Sequence, residues 1–287
     1  MKVIIKLILI LLFISCNSSL EKWKSYDETE EISKNSSSEN QKLRYKRIQS
    51  ISTDKNILIN GLENEIENFI KTKYDKLKPK IVEKSIPEIQ QSVINKDFSY
   101  HDLTLFYISR IYLIEFNKDT YLNSIISINK NVLDEAKSKD SQGNSDIYSV
   151  FGIPILLKDN IGFESLPTTA GAHSLQNNYT RDAYIVEKLK EKGALILGKT
   201  NLSEWANYFC SGCPNGYTAL GGQTLNPYGR KKIDTGGSSS GSGAATASNL
   251  TSVSLGSETS GSILSPSSAS SLVGMKPTIG NVSRSGI

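Results

Sequence analysis

The chain has 287 residues, of which 38% are hydrophobic and 22% are charged. This composition is typical of a globular protein with a sizeable core, and it excludes disorder of the whole chain. The formal net charge is +4, and it falls to about +2 (4 minus 2) when Lys2 and Lys6 of an expected export signal are subtracted. So weak a charge gives no reason to expect nucleic acid as a partner.

Residues 1–15 have the pattern of an export signal. A positive start precedes the apolar run Leu7–Ile14, which is too short to span a bilayer. The segment ends in Phe13-Ile14-Ser15-Cys16, which resembles the lipobox of bacterial lipoproteins, with Phe13 in place of the usual Leu. The resemblance implies a lipid on Cys16 and an exported protein anchored to a bacterial membrane, on its periplasmic or cell-surface side. A plain secretory signal is the alternative.

Two further cysteines form the motif Cys210-Ser211-Gly212-Cys213. In an exported chain such a pair predicts a local disulfide or two free thiols. A redox role would need a thioredoxin-like context, and a structural metal would need two more ligands nearby. Neither is visible, so neither a metal nor a cofactor is expected.

The region before residue 85 predicts two units. Residues 16–50 are polar, charged and rich in Ser, Glu and Lys, which predicts a tether between the lipid and the folded domain. Residues 51–84 predict a helical extension, with one helix over residues 57–74. Its apolar residues keep roughly helical spacing and are Ile57, Ile59, Leu62, Ile66 and Ile70.

From residue 85 onward, helices and short strands alternate. Ser85, Pro87 and Glu88 supply an N-cap, an early proline and an acidic first turn for a helix through Val93. The following elements are a helix with Leu103, Tyr107, Ile111 and Ile114 on one face, strands at 124–128, 153–157 and 194–197, and helices at 132–139 and 182–192. This alternation predicts an α/β architecture.

Residues 193–200 match the phosphate-loop pattern G-x-x-x-x-G-K-[ST], with Gly198, Lys199 and Thr200 at its end. A working phosphate loop follows a strand and curls its N–H groups around the anion. Here the four variable positions are Ala-Leu-Ile-Leu, which favour a buried strand. We therefore interpret the match as coincidental.

Residues 237–241 match the nucleophile-elbow pattern G-x-S-x-G, with Ser239 at the centre. That mechanism needs a histidine after the serine in chain order. The sequence has only His101 and His173, and both come before it. The pattern therefore does not favour a Ser-His-Asp hydrolase, unless a further segment supplies a histidine.

A third set of motifs places a lysine and several serines beside glycines. Lys158 directly follows the apolar run 153–157. Ser238 lies in the segment Gly236-Gly237-Ser238-Ser239-Ser240-Gly241. Ser262 ends the segment Gly256-Ser257-Glu258-Thr259-Ser260-Gly261-Ser262. Burial disfavours an ammonium ion, so Lys158 could accept a proton near pH 7. Glycines let backbone N–H groups turn toward an oxyanion.

A flexible Gly/Ser linker is the simpler explanation of the region beyond residue 236. However, Ala244-Ala245-Thr246-Ala247 suits a helix and Val253-Ser254-Leu255 suits a strand. The region therefore predicts loop, helix, strand and loop, with structure built around two serine-bearing turns.

These motifs resemble the amidase-signature family over about residues 85–287. Further matching segments are Leu166–Gly171, Gly198–Ala206, Gly221–Thr224 and Val273–Thr278. Residues 201–207 and 282–287 most resemble the peptide-amidase branch, whose members remove C-terminal amides from peptides. The resemblance implies a mixed central β-sheet covered by helices on both faces, with the family's C-terminal part absent from this chain.

Residue by residue, the resemblance implies a Ser-Ser-Lys triad. Ser262 would be the nucleophile, Ser238 the bridging serine in a cis peptide, and Lys158 the base. Ser239 would support the turn, and the N–H groups of Thr259, Ser260, Gly261 and Ser262 would form the oxyanion hole. The implied reaction is hydrolysis of a peptide amide or small amide through an acyl-enzyme, without a cofactor.

Three departures from the common family pattern are Ser240, Ser260 and Leu264, where many members have glycine, glycine and arginine. The last two bear on substrate choice more than on the triad. Two other functions remain open: a non-catalytic surface lipoprotein that keeps only the front of the fold, and the related subunit that amidates misacylated transfer RNA. The export signal argues against the latter.

Overall fold

The computed structural model describes residues 20–210 and 212–287. The predicted signal segment and Cys16 lie outside the described residues. Within the described ranges, no helix combines the length and the apolar character needed to cross a membrane. The α-helices are α1 Thr29–Ser36, α2 Glu63–Phe69, α3 Asp75–Ile81, α4 Ile86–Ile94, α5 Tyr100–Glu115, α6 Val132–Gln142, α7 Tyr184–Glu191, α8 Ser240–Ala247 and α9 Leu264–Ala269.

The main sheet has four strands in the order β1-β3-β2-β6. Its strands are β1 Ile125–Ile128, β2 Pro154–Lys158, β3 Leu195–Thr200 and β6 Ser254–Leu255, and β4 Tyr217–Thr218 pairs with β5 Gly222–Gln223 separately. β2 runs parallel to both β3 and β6, whereas β1 is antiparallel to β3. The predicted α/β fold with a mixed central sheet flanked by helices is therefore confirmed.

The two central strands, β2 and β3, are buried at every residue. This burial explains why their sequences are continuous apolar runs rather than alternating ones. A Cβ atom on Gly198 would lie 2.2 Å from the carbonyl oxygen of Ser127, so only glycine lets β1 approach β3 here. The segment that matches the phosphate-loop pattern is thus a strand, as interpreted from its apolar residues.

Helix α4 begins with the predicted capping box. The Ser85 hydroxyl accepts from the Glu88 amide, and the Glu88 carboxylate accepts from the Ser85 amide at 2.8 Å.

The predicted helix over 57–74 differs from the structure. Lys55–Leu58 is a 3₁₀ turn, Ile57 is 58% exposed, and α2 starts only at Glu63, because Gly61 takes a left-handed φ of 81°. A π-helical turn at Ile70–Tyr74 joins α2 to α3.

Much of the predicted tether, residues 16–50, is folded onto the domain. Leu43, Tyr45 and Ile48 are buried in a second apolar cluster with Tyr121 and Leu225. Burial of these side chains supplies the free energy that orders the segment. The tether was predicted from the average composition of residues 16–50, which is dominated by Ser, Glu and Lys. The few apolar residues that determine the packing had little weight in that average.

Cys210 and Cys213 form a disulfide, with their Cα atoms 5.7 Å apart. It closes the end of the loop that follows Glu204–Asn207. Within the preceding segment Glu204–Asn207, Trp205, Ala206 and Asn207 all have left-handed φ angles between 51° and 68°. The sequence had left a disulfide and two free thiols as alternatives.

Candidate active site

Lys158 is the last residue of β2 and is completely buried. Its amine lies 2.7 Å from the Ser238 hydroxyl, 3.0 Å from the Ser257 hydroxyl and 3.1 Å from the Ser257 carbonyl oxygen. These three oxygens surround the amine at hydrogen-bonding distance. The end of β2 therefore places the Lys158 amine in contact with the serine-rich turns.

Burial lowers the pKa of Lys158 from 10.5 to about 7, although the negative charge of Glu258 opposes the shift. Desolvation disfavours the ammonium form because the buried charge loses its hydration. At neutral pH a substantial fraction of Lys158 is consequently an uncharged amine. An uncharged amine has a lone pair that can accept a proton from a hydroxyl.

Ser238 lies in a tight turn that is held from two sides. The Gly237–Ser238 peptide bond is cis, as the resemblance implies, and the Ser238 carbonyl accepts from the Ser203 amide at 2.9 Å. A Cβ atom on Gly237 would lie 2.7 Å from Ser203 Oγ and 3.0 Å from Asn215 Oδ1. Glycine is therefore required for this close packing. Helix α8 begins two residues later, at Ser240.

The backbone brings Ser262 to the same turn. The Ser239 amide donates to the Ser262 carbonyl at 3.0 Å, and the Ser239 hydroxyl donates to the Ser257 carbonyl at 3.2 Å. Ser239 therefore joins the two serine-bearing loops and makes no nucleophile elbow. Among the described residues, however, no hydrogen bond links the Ser262 hydroxyl to Ser238, and Ser262 is half-buried.

The predicted oxyanion segment runs between β6 and α9. Glu258 accepts from the amides of Ile263 at 2.7 Å and Leu264 at 3.0 Å, and also from the Gly261 amide. Gly261 N–H is thus occupied in this structure. The amides of Thr259, Ser260 and Ser262 have no acceptor within the described chain. Burial acts to raise the pKa of Glu258, but these backbone donors outweigh it and lower that pKa.

The sequence analysis assigned no role to Ser257, which lies in the segment Gly256–Ser262, or to Asn160, which lies in the loop after Lys158. Asn160 Nδ2 lies 3.0 Å from Ser257 Oγ, and Asn160 Oδ1 lies 3.2 Å from the same atom. Ser257 in turn contacts the Lys158 amine through two oxygens. The available signal was the position of Asn160, two residues after Lys158, and that of Ser257, five residues before Ser262. Only the three-dimensional contacts show that both residues lie beside the Lys158 amine.

A second buried lysine, Lys199, contacts the loop that follows β2. Lys199 donates to the carbonyl oxygens of Asp159 and Ile161, and burial lowers its pKa to about 8. Burial raises the pKa of Asp159, against the attraction of Lys199 and hydrogen bonds from Thr169 and Gly171. Lys199 therefore holds the loop after β2 rather than binding phosphate.

Among the described residues, no group of three or more His, Cys, Asp or Glu side chains is placed to hold a metal ion. The arrangement found instead is a buried amine with a lowered pKa that is hydrogen-bonded to Ser238 and Ser257, with Ser262 and three amides that lack an acceptor in the described chain on the adjoining loop. Such a site can transfer protons to and from a nucleophilic hydroxyl without a metal.

The chain belongs to the amidase family, because the family model described as Amidase matches residues 102–287. A probable amidase of Arabidopsis thaliana is 40% identical over 210 residues, covering 71% of this chain and 41% of that protein. A glutamyl-tRNA(Gln) amidotransferase subunit of Bdellovibrio bacteriovorus is 37% identical over 206 residues, covering 71% and 40%.

Solved structures give the same family. An amidase family protein from Bacillus anthracis aligns with a TM-score of 0.78 and 38% identity, over 85% of this chain and 48% of that one. The native peptide amidase from Stenotrophomonas maltophilia aligns with a TM-score of 0.67 and 42% identity, over 72% and 42%. The chain thus spans about two fifths of the length of the curated relatives it matches.

Proposed function

We propose that the protein hydrolyses carbon–nitrogen amide bonds with a Ser-Ser-Lys triad of Lys158, Ser238 and Ser262. The observation that carries the proposal is the buried Lys158 amine, which has a pKa of about 7 and lies 2.7 Å from the Ser238 hydroxyl. A base with a pKa near the working pH is the most effective proton acceptor. Membership of the amidase family supports the same reaction.

In the first step Lys158 accepts the Ser238 proton while Ser238 accepts the Ser262 proton, and Ser262 Oγ forms a bond to the amide carbon. The carbonyl oxygen gains the negative charge and is stabilised by the amides of Thr259, Ser260 and Ser262. The relay then returns a proton to the departing nitrogen, and the C–N bond breaks. Water hydrolyses the acyl-enzyme by the same route. The Ser238–Ser262 hydroxyl contact would be completed when substrate binds, since catalytic hydrogen bonds often tighten only then.

The proposed substrate is a peptide amide or a small amide. The supporting observation is the 42% identity with a protein whose structure is described as a peptide amidase. Transfer-RNA-dependent amidation is the second candidate, favoured by the 37% identity with an amidotransferase subunit. The two differ in the nitrogen product, because hydrolysis releases free ammonia whether or not an acceptor is present.

The test is ammonia release by the full-length protein from C-terminally amidated peptides, with Ser262→Ala and Ser265→Ala as matched serine variants. We expect Ser262→Ala to lose at least about 1,000-fold in kcat/KM and Ser265→Ala to keep most activity. Activity that survives Ser262→Ala would reject the triad. Transfer of the amide nitrogen to misacylated transfer RNA in the presence of a second subunit, with no free ammonia, would support the amidotransferase. Neither release nor transfer would favour a non-catalytic lipoprotein.

We further propose that the protein is exported and lipid-anchored through Cys16, on the basis of the lipobox-like Phe13-Ile14-Ser15-Cys16. Mass spectrometry of the N-terminal peptide from membrane fractions tests this directly. A diacylglyceryl group on Cys16 is expected, and Cys16→Ser should move the protein out of the membrane fraction. An unmodified Cys16 in a soluble fraction would contradict the proposal.

A further inference from the structure

A basic pocket lies between the N-terminal extension and the disulfide-closed loop. Its volume is about 600 Å³, within the range of small-molecule sites. The basic residues of its wall are Arg44, Lys46 and Arg47. The opposite wall contains Cys213, Pro214, Tyr217 and Gln223.

The basic wall is fixed in place by the packing of its neighbours. Leu43, Tyr45 and Ile48 are buried, whereas the residues between them, Arg44, Lys46 and Arg47, are exposed. The Lys42 amine also donates to the Cys213 carbonyl at 2.7 Å and so joins the two walls. The three cations are therefore presented together by a folded segment and do not belong to a loose tail.

Two carboxylates lie near this wall: Glu28 accepts from the Ile48 amide at 3.3 Å and the Gln49 amide at 2.7 Å, and both Glu28 and Glu204 act on Tyr217. Within residues 20–210 and 212–287, none of Arg44, Lys46 and Arg47 forms an ion pair with a carboxylate. Arg44 donates through Nε to the Ser38 carbonyl at 2.7 Å, which leaves its two terminal nitrogens without a partner in the described part of the chain. Burial raises the pKa of Tyr217, the positive charge of Arg47 opposes that rise, and the negative charges of Glu204 and Glu28 add to it. Three positive charges that line one cavity without forming an ion pair favour an anion inside it.

We propose that this pocket binds a phosphate group carried by an organic molecule. A guanidinium presents its donors in a planar fork that matches phosphate oxygens. Two arginines and one lysine also carry more positive charge than a single carboxylate would neutralise. The Tyr217 ring and Pro214 supply apolar surface for the rest of the molecule. The basic wall lies outside residues 102–287, so it belongs to a part of the chain that the family model does not match.

An anionic phospholipid headgroup is the expected source of the phosphate. The Tyr26 amide donates to Gln49 Oε1 and the Gln49 side chain donates to the Tyr26 carbonyl, so the chain toward Cys16 passes beside the basic segment. Cys16 precedes Tyr26 by ten residues, a span of at most roughly 35 Å. A lipid on Cys16 would therefore keep the pocket close to the membrane surface. A soluble phosphate ester is the other source.

The test uses the mature protein with Cys16→Ser, so that no lipid holds it on vesicles. Binding is measured to vesicles of phosphatidylcholine with and without phosphatidylglycerol, and separately to soluble glycerol 3-phosphate. The triple variant Arg44→Gln/Lys46→Gln/Arg47→Gln is compared with Lys76→Gln/Lys78→Gln/Lys192→Gln, which removes the same charge from exposed positions elsewhere. Thermal unfolding of both triple variants checks that each still folds.

If the lipid is the source, binding to phosphatidylglycerol vesicles should fall roughly 100-fold in the pocket variant, at about a factor of five for each charge, and little in the control. If a soluble ester is the source, glycerol 3-phosphate binding should fall by at least about tenfold in the pocket variant alone. Equal effects of the two triple variants, or no binding to either probe, would overturn the proposal. Amide hydrolysis is measured separately and does not enter this result.

Discussion

The amine of Lys158 lies 3.0 Å from the hydroxyl of Ser257, a residue outside the proposed Ser-Ser-Lys triad. An uncharged amine has two N–H donors and one lone pair. The Ser257 hydroxyl and carbonyl provide acceptors for those two donors. The lone pair is then left for the Ser238 hydroxyl, which is the direction that proton transfer requires.

Ser257→Ala should therefore lower kcat by roughly 10- to 100-fold while changing KM little, because one of the two contacts that orient the amine is lost. The Ser257 hydroxyl also stabilises the ammonium form more than the neutral form, so its removal should move the acid limb of the pH–rate profile to lower pH. Ser257→Thr keeps the hydroxyl and should restore most of the activity. A Thr variant as impaired as the Ala variant would show that Ser257 only fills space.

Glu258 affects the base through its charge. Its carboxylate acts to raise the pKa of Lys158 and accepts from the Ile263 and Leu264 amides. Glu258→Gln keeps an acceptor oxygen and removes the charge, so the acid limb should move to lower pH with the plateau changed less than about tenfold. Glu258→Ala also removes the acceptor and should lower the plateau by roughly 10- to 100-fold, because the loop with the oxyanion donors loses its support. Identical pH profiles for the wild type and Glu258→Gln would contradict this role.

The depressed pKa of Lys158 also predicts how stability depends on pH. Between about pH 7 and pH 10.5 the unfolded chain binds a proton at this lysine that the folded protein has released. Stability from this group therefore rises with pH across that window and is lost as the pH falls through 7. Relative to Lys158→Met, the wild-type free energy of unfolding should increase by up to about 1.4 kcal/mol per pH unit. Urea denaturation at pH 6 and pH 9 measures this, and a difference that does not change with pH would rule out the depressed pKa.

The packed extension gives a prediction that is independent of catalysis. Ile48 is fully buried against Tyr121 and Leu225, whereas Ile51 is 57% exposed. Ile48→Ala should destabilise the protein by about 2–5 kcal/mol and Ile51→Ala by less than about 0.5 kcal/mol. Thermal or urea denaturation compares the two. Equal, small effects would mean that residues 20–50 behave as the tether that their composition suggested.

Local sequence signals predicted the framework of the site. Ser85 and Glu88 predicted the start of α4. The apolar runs predicted β2 within one residue and the start of β3 within one residue, although β3 extends three residues further, to Thr200. Lys158 was identified because it directly follows such a run. These features depend on neighbours in the sequence, which is why they can be predicted without the fold.

Other features depend on contacts between distant parts of the chain. The helical spacing that included Ile57 could not show that Gly61 adopts a left-handed conformation before α2 begins. The packing of Tyr45 and Ile48 required knowing where Tyr121 and Leu225 lie. The contact between Lys158 and Ser257 joins residues 99 positions apart.

The central claim is that Lys158 is an uncharged base near neutral pH. The most direct measurement is an NMR titration of the side-chain nitrogen in protein labelled with ¹⁵N-lysine, with Lys158→Met to assign the signal. The structure predicts a midpoint at about pH 7. A midpoint above pH 10 would mean that Lys158 remains an ammonium ion under working conditions, and it could not accept the Ser238 proton.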